Sequence, residues 1–464
     1  MNDDELYYSH NPEFSHQDYL TRVELLQGDE RSLLHSDATF EEMGLPEPIL
    51  KGIYAAKMKA PSRIQGIALP LVLSNPPSNL IAQAQSGTGK TLCFAIGMLC
   101  RINTAEASTQ ALCICNTREL AIQIFHVVRM IGRYTTATTA LYVPVDPGQT
   151  RQEPAGGAPH IVVGTPGTVS DELKRRRLNP KNIKIFVIDE ADVMVSSTLL
   201  PVTQAIVKSL PRSCQRLLFS ATYKGDIRTT LLGIAPNAKT ITVEKHEVAH
   251  EAIKQFTLDA GSKEKCRDVL DQLLNVRPPG QVIIFVDRRE VSRELCEWLR
   301  AKDHSVAVVH GSGRDMSTAE RDAVVTAFRK GNCNILVTTD LLARGIDIVT
   351  VSMVINFTPP VDYDHGNRPD SATYLHRIGR TCRFGSKGLA VNIIYDGRTR
   401  AAYEAIAREL SRPMFPLNPN DWDSVEAALK EVGESSVAQP TIDVRDLVAA
   451  DSAAAASSSA SSSA

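Results

Sequence analysis

No stretch of this 464-residue sequence approaches the ~20 consecutive apolar residues that a membrane-spanning helix requires. The first residues, Met1-Asn2-Asp3-Asp4-Glu5, are acidic and lack the basic-then-apolar order of a secretory signal. Nine cysteines are present, yet no Cys-x-x-Cys pair and no Cys/His cluster has zinc-like spacing. Several sit in apolar runs, as Cys113 and Cys115 do, so reduced and mostly buried thiols are expected. These absences exclude a membrane span, a secreted disulfide scaffold and a zinc module, and they place the chain in the cytosol or nucleus. The formal net charge of -2 decides nothing about nucleic acid, because an RNA binder needs only a local basic track.

What is present is an ordinary globular composition, 43% hydrophobic and 22% charged, in a chain long enough for two or three domains. Residues 1–37 are polar and irregular and read as a flexible arm, with one helical stretch from Tyr19 to Leu26. From residue 38 the pattern becomes α/β. Apolar runs at 79–82, 111–115, 160–163, 185–188 and 217–219 read as buried strands. Amphipathic segments such as Arg118 to Gly132 lie between them, which implies a parallel sheet covered on both faces. The charged stretch 243–252 suits a linker. A second series of strands then follows at 281–286, 305–309, 334–337, 351–355 and 389–394, with a helix from Glu320 to Lys330. Two α/β domains, 38–242 and 253–435, precede an Ala/Ser-rich tail over 436–464 that is expected to be disordered.

Ala84-Gln85-Ser86-Gly87-Thr88-Gly89-Lys90-Thr91 follows a strand and opens a helix, the context a phosphate loop needs. Small residues let backbone N–H groups crowd around phosphate oxygens, and the helix start adds positive potential. Lys90 suits the β- and γ-phosphates, and the Thr91 hydroxyl suits Mg2+. Asp189-Glu190 ends the apolar run 185–188, at the C-terminal edge of a parallel strand where such sheets hold ligands. One carboxylate for the metal, Asp189, and one beside the attacking water, Glu190, is what nucleotide hydrolysis requires. A glycine-rich surface loop or an acidic solvated turn could explain either motif alone. Neither explains both in this order.

The order Ala-x-x-Gly-x-Gly-Lys-Thr, Asp189-Glu190-Ala191-Asp192, Ser220-Ala221-Thr222 and His376-Arg377-Ile378-Gly379-Arg380-Thr381-Cys382-Arg383 resembles the DEAD-box RNA helicases, from about Phe40 to Ile394. The resemblance implies two tandem RecA-like domains that bind ATP, Mg2+ and single-stranded RNA as a monomer. It assigns Gln65 to the adenine edge and Phe40 to stacking on the base, with Ser86, Gly87, Thr88 and Gly89 around the phosphates. Arg118, Gly157, Thr165, Pro166 and Gly167 match the first domain's RNA-contacting segments. Thr338, Gly345 and Asp347 lie in a segment that would touch RNA and nucleotide, and Ser220, Thr222 and His376 would couple the two. Arg380 and Arg383 take the place of arginine fingers, each such finger being worth roughly 10³–10⁵ in rate.

Gly164 to Val169, Asp192-Val193-Met194 and the long link from Pro360 to Asp370 are similar to the messenger-RNA export subgroup at the nuclear pore. That likeness implies a nucleoporin and an inositol-hexakisphosphate-dependent activator as partners, and an inhibitory role for the N-terminal arm. It also implies residence in cytoplasm and nucleus, at the cytoplasmic face of the pore. Two readings of the same residues stay open: a slowly hydrolysing, ATP-gated RNA clamp, and a DNA translocase built on related lobes. Two departures bear on activity. Asn116 stands where the family has proline, and Cys382 stands where it has glycine between the finger arginines. A side chain at a position suited to glycine can strain the backbone and slow turnover without touching nucleotide binding. Cys382→Gly is therefore expected to raise RNA-stimulated ATPase while leaving nucleotide affinity unchanged; an equal rate in the two proteins would discard that role.

Overall fold

The computed structural model describes residues 38–83, 88–145, 157–220, 225–242, 253–278, 280–309, 316–340, 351–362, 366–381 and 388–437. The arm, the interdomain linker, residues 438–464 of the tail and the site positions Ser86, Gly87, Thr222, Gly345, Asp347, Cys382 and Arg383 lie outside them, while residues 436 and 437, expected in the tail, end the helix Trp422–Val437. No helix among the described residues is long and apolar enough to cross a membrane.

The first domain carries seven strands: β1 (Leu80–Gln83), β2 (Ala111–Ile114), β3 (Thr139–Tyr142), β4 (Ile161–Gly164), β5 (Ile185–Ile188), β6 (Gln215–Ser220) and β7 (Lys239–Thr242). All pair in parallel, in the order β3-β4-β2-β5-β6-β1-β7. Successive side chains of a strand point to opposite faces, and β5 shows the consequence. Ile185 and Val187 enter one core cluster, while Phe186 and Ile188 enter the other. Strands buried on both sides read as unbroken apolar runs, because helices cover each face.

The second domain repeats the plan with β8 (Ile253–Asp259), β9 (Gln281–Phe285), β10 (Val306–Val309), β11 (Ile335–Thr338), β12 (Val351–Asn356), β15 (Gly388–Ile394) and β16 (Phe415–Leu417). Their order is β10-β11-β9-β12-β15-β8-β16, and every pair is parallel. Between β12 and β15 the long link is closed at its base. A short antiparallel pair, β13 (Val361–Asp362) with β14 (Arg368–Pro369), and a 3.0 Å bond from Asp370 N–H to the Pro360 carbonyl hold its ends together. Asp370 then caps the helix Ser371–Ile378 by accepting from Ala372 and Thr373 backbone N–H, both at 3.0 Å.

Most of the site positions lie at the C-terminal edges of these sheets. In register, Ser220 of β6 stands opposite Gln83 of β1, and Leu218 stands opposite both Ile81 and Ile188. The chain therefore leaves β1 for the phosphate loop and β5 for the acidic turn at one edge, on either side of β6. One glycine is fixed by packing there. A Cβ on Gly164, the last residue of β4, would lie 2.3 Å from the Tyr142 carbonyl oxygen that accepts from Thr165 N–H at 2.9 Å.

Candidate active site

The adenine-reading segment is the helix start Ser62 to Gln65. Ser62 and Gln65 form a reciprocal cap: the Ser62 N–H donates to Gln65 Oε1 at 2.8 Å, and Ser62 Oγ accepts from Gln65 N–H. The same side chains also grip the phosphate loop. Ser62 Oγ donates to the Thr88 carbonyl at 2.8 Å, and Gln65 Nε2 donates to the Gly89 carbonyl at 3.0 Å. Gly89 adopts φ +93°, and a Cβ there would meet Gln65 Nε2 at 2.3 Å. The segment is thus a strut under the loop as well as a candidate base reader. Phe40 is fully buried in the first-domain core, so as placed it presents no open face for stacking.

Lys90, first residue of the helix Lys90–Arg101, is only 6% exposed, and its Nζ has no hydrogen-bond partner. A buried ammonium without an acceptor is costly unless a ligand supplies one, and phosphate oxygens at a helix N-terminus are the natural supply. The Thr91 hydroxyl is on the next residue of the same first turn. Asp189 is buried, and its Oδ1 accepts from Glu190 N–H at 3.0 Å. Its carboxyl is pushed up to about 6, chiefly by burial, with Glu190 and Asp192 adding to the rise and Lys90 opposing it. Thr91 and Asp189 each offer an oxygen of the kind Mg2+ takes. A cation there would have to displace whatever proton Asp189 holds near that pH.

Glu190 sits at φ +52°, ψ +49°, a left-handed conformation unusual for a residue with a side chain. Such strain, of order 1–3 kcal/mol, persists where the surroundings over-determine the position. Here it turns Glu190 out of β5 into the N-cap of the short helix Ala191–Met194.

The second domain reaches this turn. His376 Nδ1 lies 3.8 Å from Glu190 Oε2, and its Nε2 lies 3.5 Å from Asp192 Oδ2, all three side chains being buried. Arg380, 4% exposed, donates from Nε to the His376 carbonyl at 3.1 Å, which holds it against the end of the same helix. Between His376 and Arg380, Arg377 is fully buried and anchors the helix. It grips Asp340 with two bonds of 2.5 and 2.9 Å, donates to Asn356 Oδ1 and the Thr358 carbonyl, and lies over the Phe285 ring. Asp340 follows Thr338, which ends β11 and is itself buried.

A second set of contacts crosses the seam. Arg118, at the start of the helix Arg118–Ile131, donates to both carboxylate oxygens of Asp322 at 2.5 and 2.6 Å. Its neighbour Glu119 accepts from Arg321 Nη2 at 2.7 Å, with both side chains about 95% buried. Sequence reasoning placed Arg118 on RNA and did not single out Glu119, Arg321 or Asp322. Partners 202 and 204 residues apart leave no local signal. Thr165 and Pro166 open the helix Pro166–Lys174 at the end of β4, with Gly167 in its first turn. N–H groups of a first turn have no acceptor inside the helix and suit a phosphate. Gly157 takes φ +122°, with open space where a side chain would stand.

Residues 62–230 match the family profile described as DEAD/DEAH box helicase, and 264–385 match the helicase conserved C-terminal domain. The ATP-dependent RNA helicase DBP5 of Meyerozyma guilliermondii is 42% identical over 418 residues, 89% of this chain and 85% of the relative. The chain belongs to the DEAD-box RNA helicases. It is accordingly an ATP-using, RNA-dependent ATPase with two RecA-like domains. Among solved structures, S. cerevisiae Dbp5 bound to RNA and ADP BeF3 superposes with a TM-score of 0.79 at 42% identity, covering 85% of this chain and 99% of that one. A variant of the same helicase bound to Nup159, a Gle1 variant, IP6 and ADP gives 0.59 at 40% identity, covering 84% and 100%. The relative bound to RNA and the nucleotide analogue thus gives the higher of the two scores at nearly equal coverage.

The two charge pairs at the seam differ in weight. Arg118–Asp322 is partly exposed, with side chains 19% and 40% accessible, and such pairs contribute about 0–1 kcal/mol. Removing one partner of a buried pair strands the other charge, at about 3–5 kcal/mol. Glu119→Gln is therefore expected to lower RNA-stimulated ATPase at least tenfold with little change in nucleotide affinity. Glu119→Leu combined with Arg321→Met should recover part of the loss, since no lone charge then remains. Additive losses in the double variant would show that the pair does not act as a unit.

Proposed function

We propose that this helicase hydrolyses ATP when RNA and nucleotide draw its two domains, 38–242 and 253–435, together. The reach of His376 from the second domain to Glu190 and Asp192 in the first is the observation that carries the reading. Glu190 orients and deprotonates the attacking water, Lys90 neutralises the phosphates, and Thr91 and Asp189 hold Mg2+. When bound, that ion offsets the charge on the phosphate oxygens. Arg380 and Arg383 stabilise the charge that spreads over the transferring group. Gln65 reads the adenine edge, and Phe40 caps the base if it leaves its core position. Ser86, Gly87, Thr88 and Gly89 line the phosphates, with Gly345 and Asp347 on the nucleotide from the far side.

RNA is held through its backbone by Arg118, Gly157, Thr165, Pro166, Gly167 and Thr338, so little base preference is expected. Ser220, Thr222 and His376 couple the two sites. Shifting the domains from 1:99 to 99:1 closed represents about 5.5 kcal/mol. Against roughly 1.4 kcal/mol per stacked step, taking DNA as a proxy, one closure disrupts on the order of four steps. Local strand separation and displacement of RNA-bound proteins fit that scale, and long-range unwinding does not.

The setting proposed is messenger-RNA export, at the cytoplasmic face of the nuclear pore. The support is the sequence likeness to that subgroup, together with a relative bound to Nup159, Gle1 and IP6. The partners expected are a nucleoporin of the Nup159 kind and an activator that uses inositol hexakisphosphate. A pull-down with such a nucleoporin tests this setting separately from the chemistry, and failure to bind would remove export while leaving the helicase. For the chemistry, Glu190→Gln is expected to cut RNA-stimulated turnover by about 10²–10⁴ while ATP and RNA still bind. Wild-type turnover limited to one ATP per RNA-bound molecule would favour the clamp reading instead.

A further inference from the structure

Two mostly apolar strands of the second domain each carry an asparagine: Asn356 ends β12, and Asn392 lies within β15. The two are register partners, and neither has any accessible surface. Their amides are oriented by charge. Arg377 has donors only, so the Asn356 atom that faces its Nη1 at 3.2 Å is the oxygen. Asn356 Nδ2 then donates to Asn392 Oδ1 at 2.8 Å. Asn392 Nδ2 donates in turn to Tyr374 Oη at 3.1 Å and to the Phe256 carbonyl at 2.9 Å. The Tyr374 hydroxyl completes the series by donating to Gln255 Oε1 at 2.9 Å. Tyr374 and Arg377 lie three residues apart on the helix Ser371–Ile378, so this chain of bonds leaves the helix and returns to the same face. The resulting ring spans three adjacent strands, β12, β15 and β8.

Around the ring the packing is apolar, with Ile253, Ile378, Ala390 and Ile406 in one cluster with Tyr374. Matched polar groups in such a place add little stability over apolar side chains of the same shape. What they add is direction. Apolar contact is non-directional, so a helix resting on it alone can roll or slide over the strands. Hydrogen bonds weaken steeply when misaligned, and this ring grips one helix at two points. The same helix sets His376 3.5 Å from Asp192 and holds Arg380 against its end. We propose that Asn356, Asn392, Tyr374 and Gln255 are positioning residues for hydrolysis. Their ring fixes the height and roll of the helix that carries His376 and Arg380, and so sets turnover without touching nucleotide or RNA. Misplacing reacting groups by about 1 Å can cost roughly a hundredfold in rate, which is the scale of control such a ring offers. The proposal rests on the roles given to His376 and Arg380 in the hydrolytic cycle.

The test uses the full chain and reads RNA-stimulated kcat, KM for ATP and the thermal unfolding midpoint together. Asn356→Leu combined with Asn392→Leu removes the two facing amides and leaves Arg377 its bonds to Asp340 and the Thr358 carbonyl. That variant is expected to lose about tenfold in kcat, with KM within about twofold of wild type. Its midpoint should stay within about 3 °C, because both partners of the central bond are gone. Tyr374→Phe removes one hydroxyl and should lower kcat about threefold with the same pattern, and it decides the matter if the double variant fails to fold. A kcat equal to wild type in a folded variant would overturn the proposal. So would losses of kcat that merely follow a falling midpoint, since they would mark the ring as structural only. His376→Ala and Arg380→Ala are measured alongside. If they lower kcat and the ring variants do not, the ring fails and the cycle stands; if they leave kcat unchanged, the cycle itself fails.

Discussion

At the seam between the two domains, carboxylates buried on one side face nitrogen groups carried by the other. Glu119, Glu190 and Asp192 are buried in the first domain, and the groups facing them are Arg321 and His376 of the second. With the domains apart, water would solvate these side chains. With the domains together, each trades water for a partner. For well-formed buried pairs that exchange comes out near zero, because desolvation offsets much of the attraction. A seam built this way is poised rather than locked, and a ligand with a few kcal/mol of preference for one arrangement can tip it. Lys90 adds a dependence on substrate in the proposed cycle. Its ammonium is buried with no hydrogen-bond partner among the described residues, and there the nucleotide supplies the acceptor.

Precision at this seam requires that the groups on each side be held still. The first domain achieves this with four-residue strands buried along their whole length, such as β2 and β5, whose C-terminal ends set where each loop begins. The Ser62–Gln65 cap clamps the carbonyls of Thr88 and Gly89, so that helix start and the residues leading into Lys90 are held together. Gly89 is required by that clamp, since Gln65 occupies the space of a side chain. Glu190 shows the opposite economy. There a strained backbone is tolerated so that a carboxylate leaves the strand and meets the seam.

The sequence was legible where physics is local. Strands enclosed on both faces, such as Ile185–Ile188, appear as apolar runs, and the helix from Arg118 shows its period of 3.6. β3, β7 and β8 escaped notice because their burial is partial or their composition mixed: Thr139–Tyr142 alternates, Lys239–Thr242 lies at the sheet edge, and Ile253–Asp259 interleaves Lys254, Gln255 and Thr257. The site was legible as motifs, and its phosphate-loop and acidic-turn halves do converge on one sheet edge. Contacts between domains were not. Nothing near Glu119 in the chain announces Arg321, and a charged residue in a helix start reads by default as solvated. Arg377 hid for the same reason: charge normally predicts exposure, and only the fold reveals a guanidinium with no accessible surface.

Arg377 also explains how the second domain can respond to two ligands without a long relay. Its guanidinium touches Asp340 after β11, Asn356 at the end of β12 and the Thr358 carbonyl beyond it, and its own helix carries His376 and Arg380. In the proposed cycle the strand end at Thr338 meets RNA, while the helix meets the acidic turn and the nucleotide. Those two surfaces are bridged by one side chain, fully buried and bonded on several sides. Movement of either surface alone would strip hydrogen bonds from a charge that has no water to replace them, at a cost of several kcal/mol. The cheaper response is for strand end and helix to move together, so engagement of RNA and placement of the finger arginines become one event.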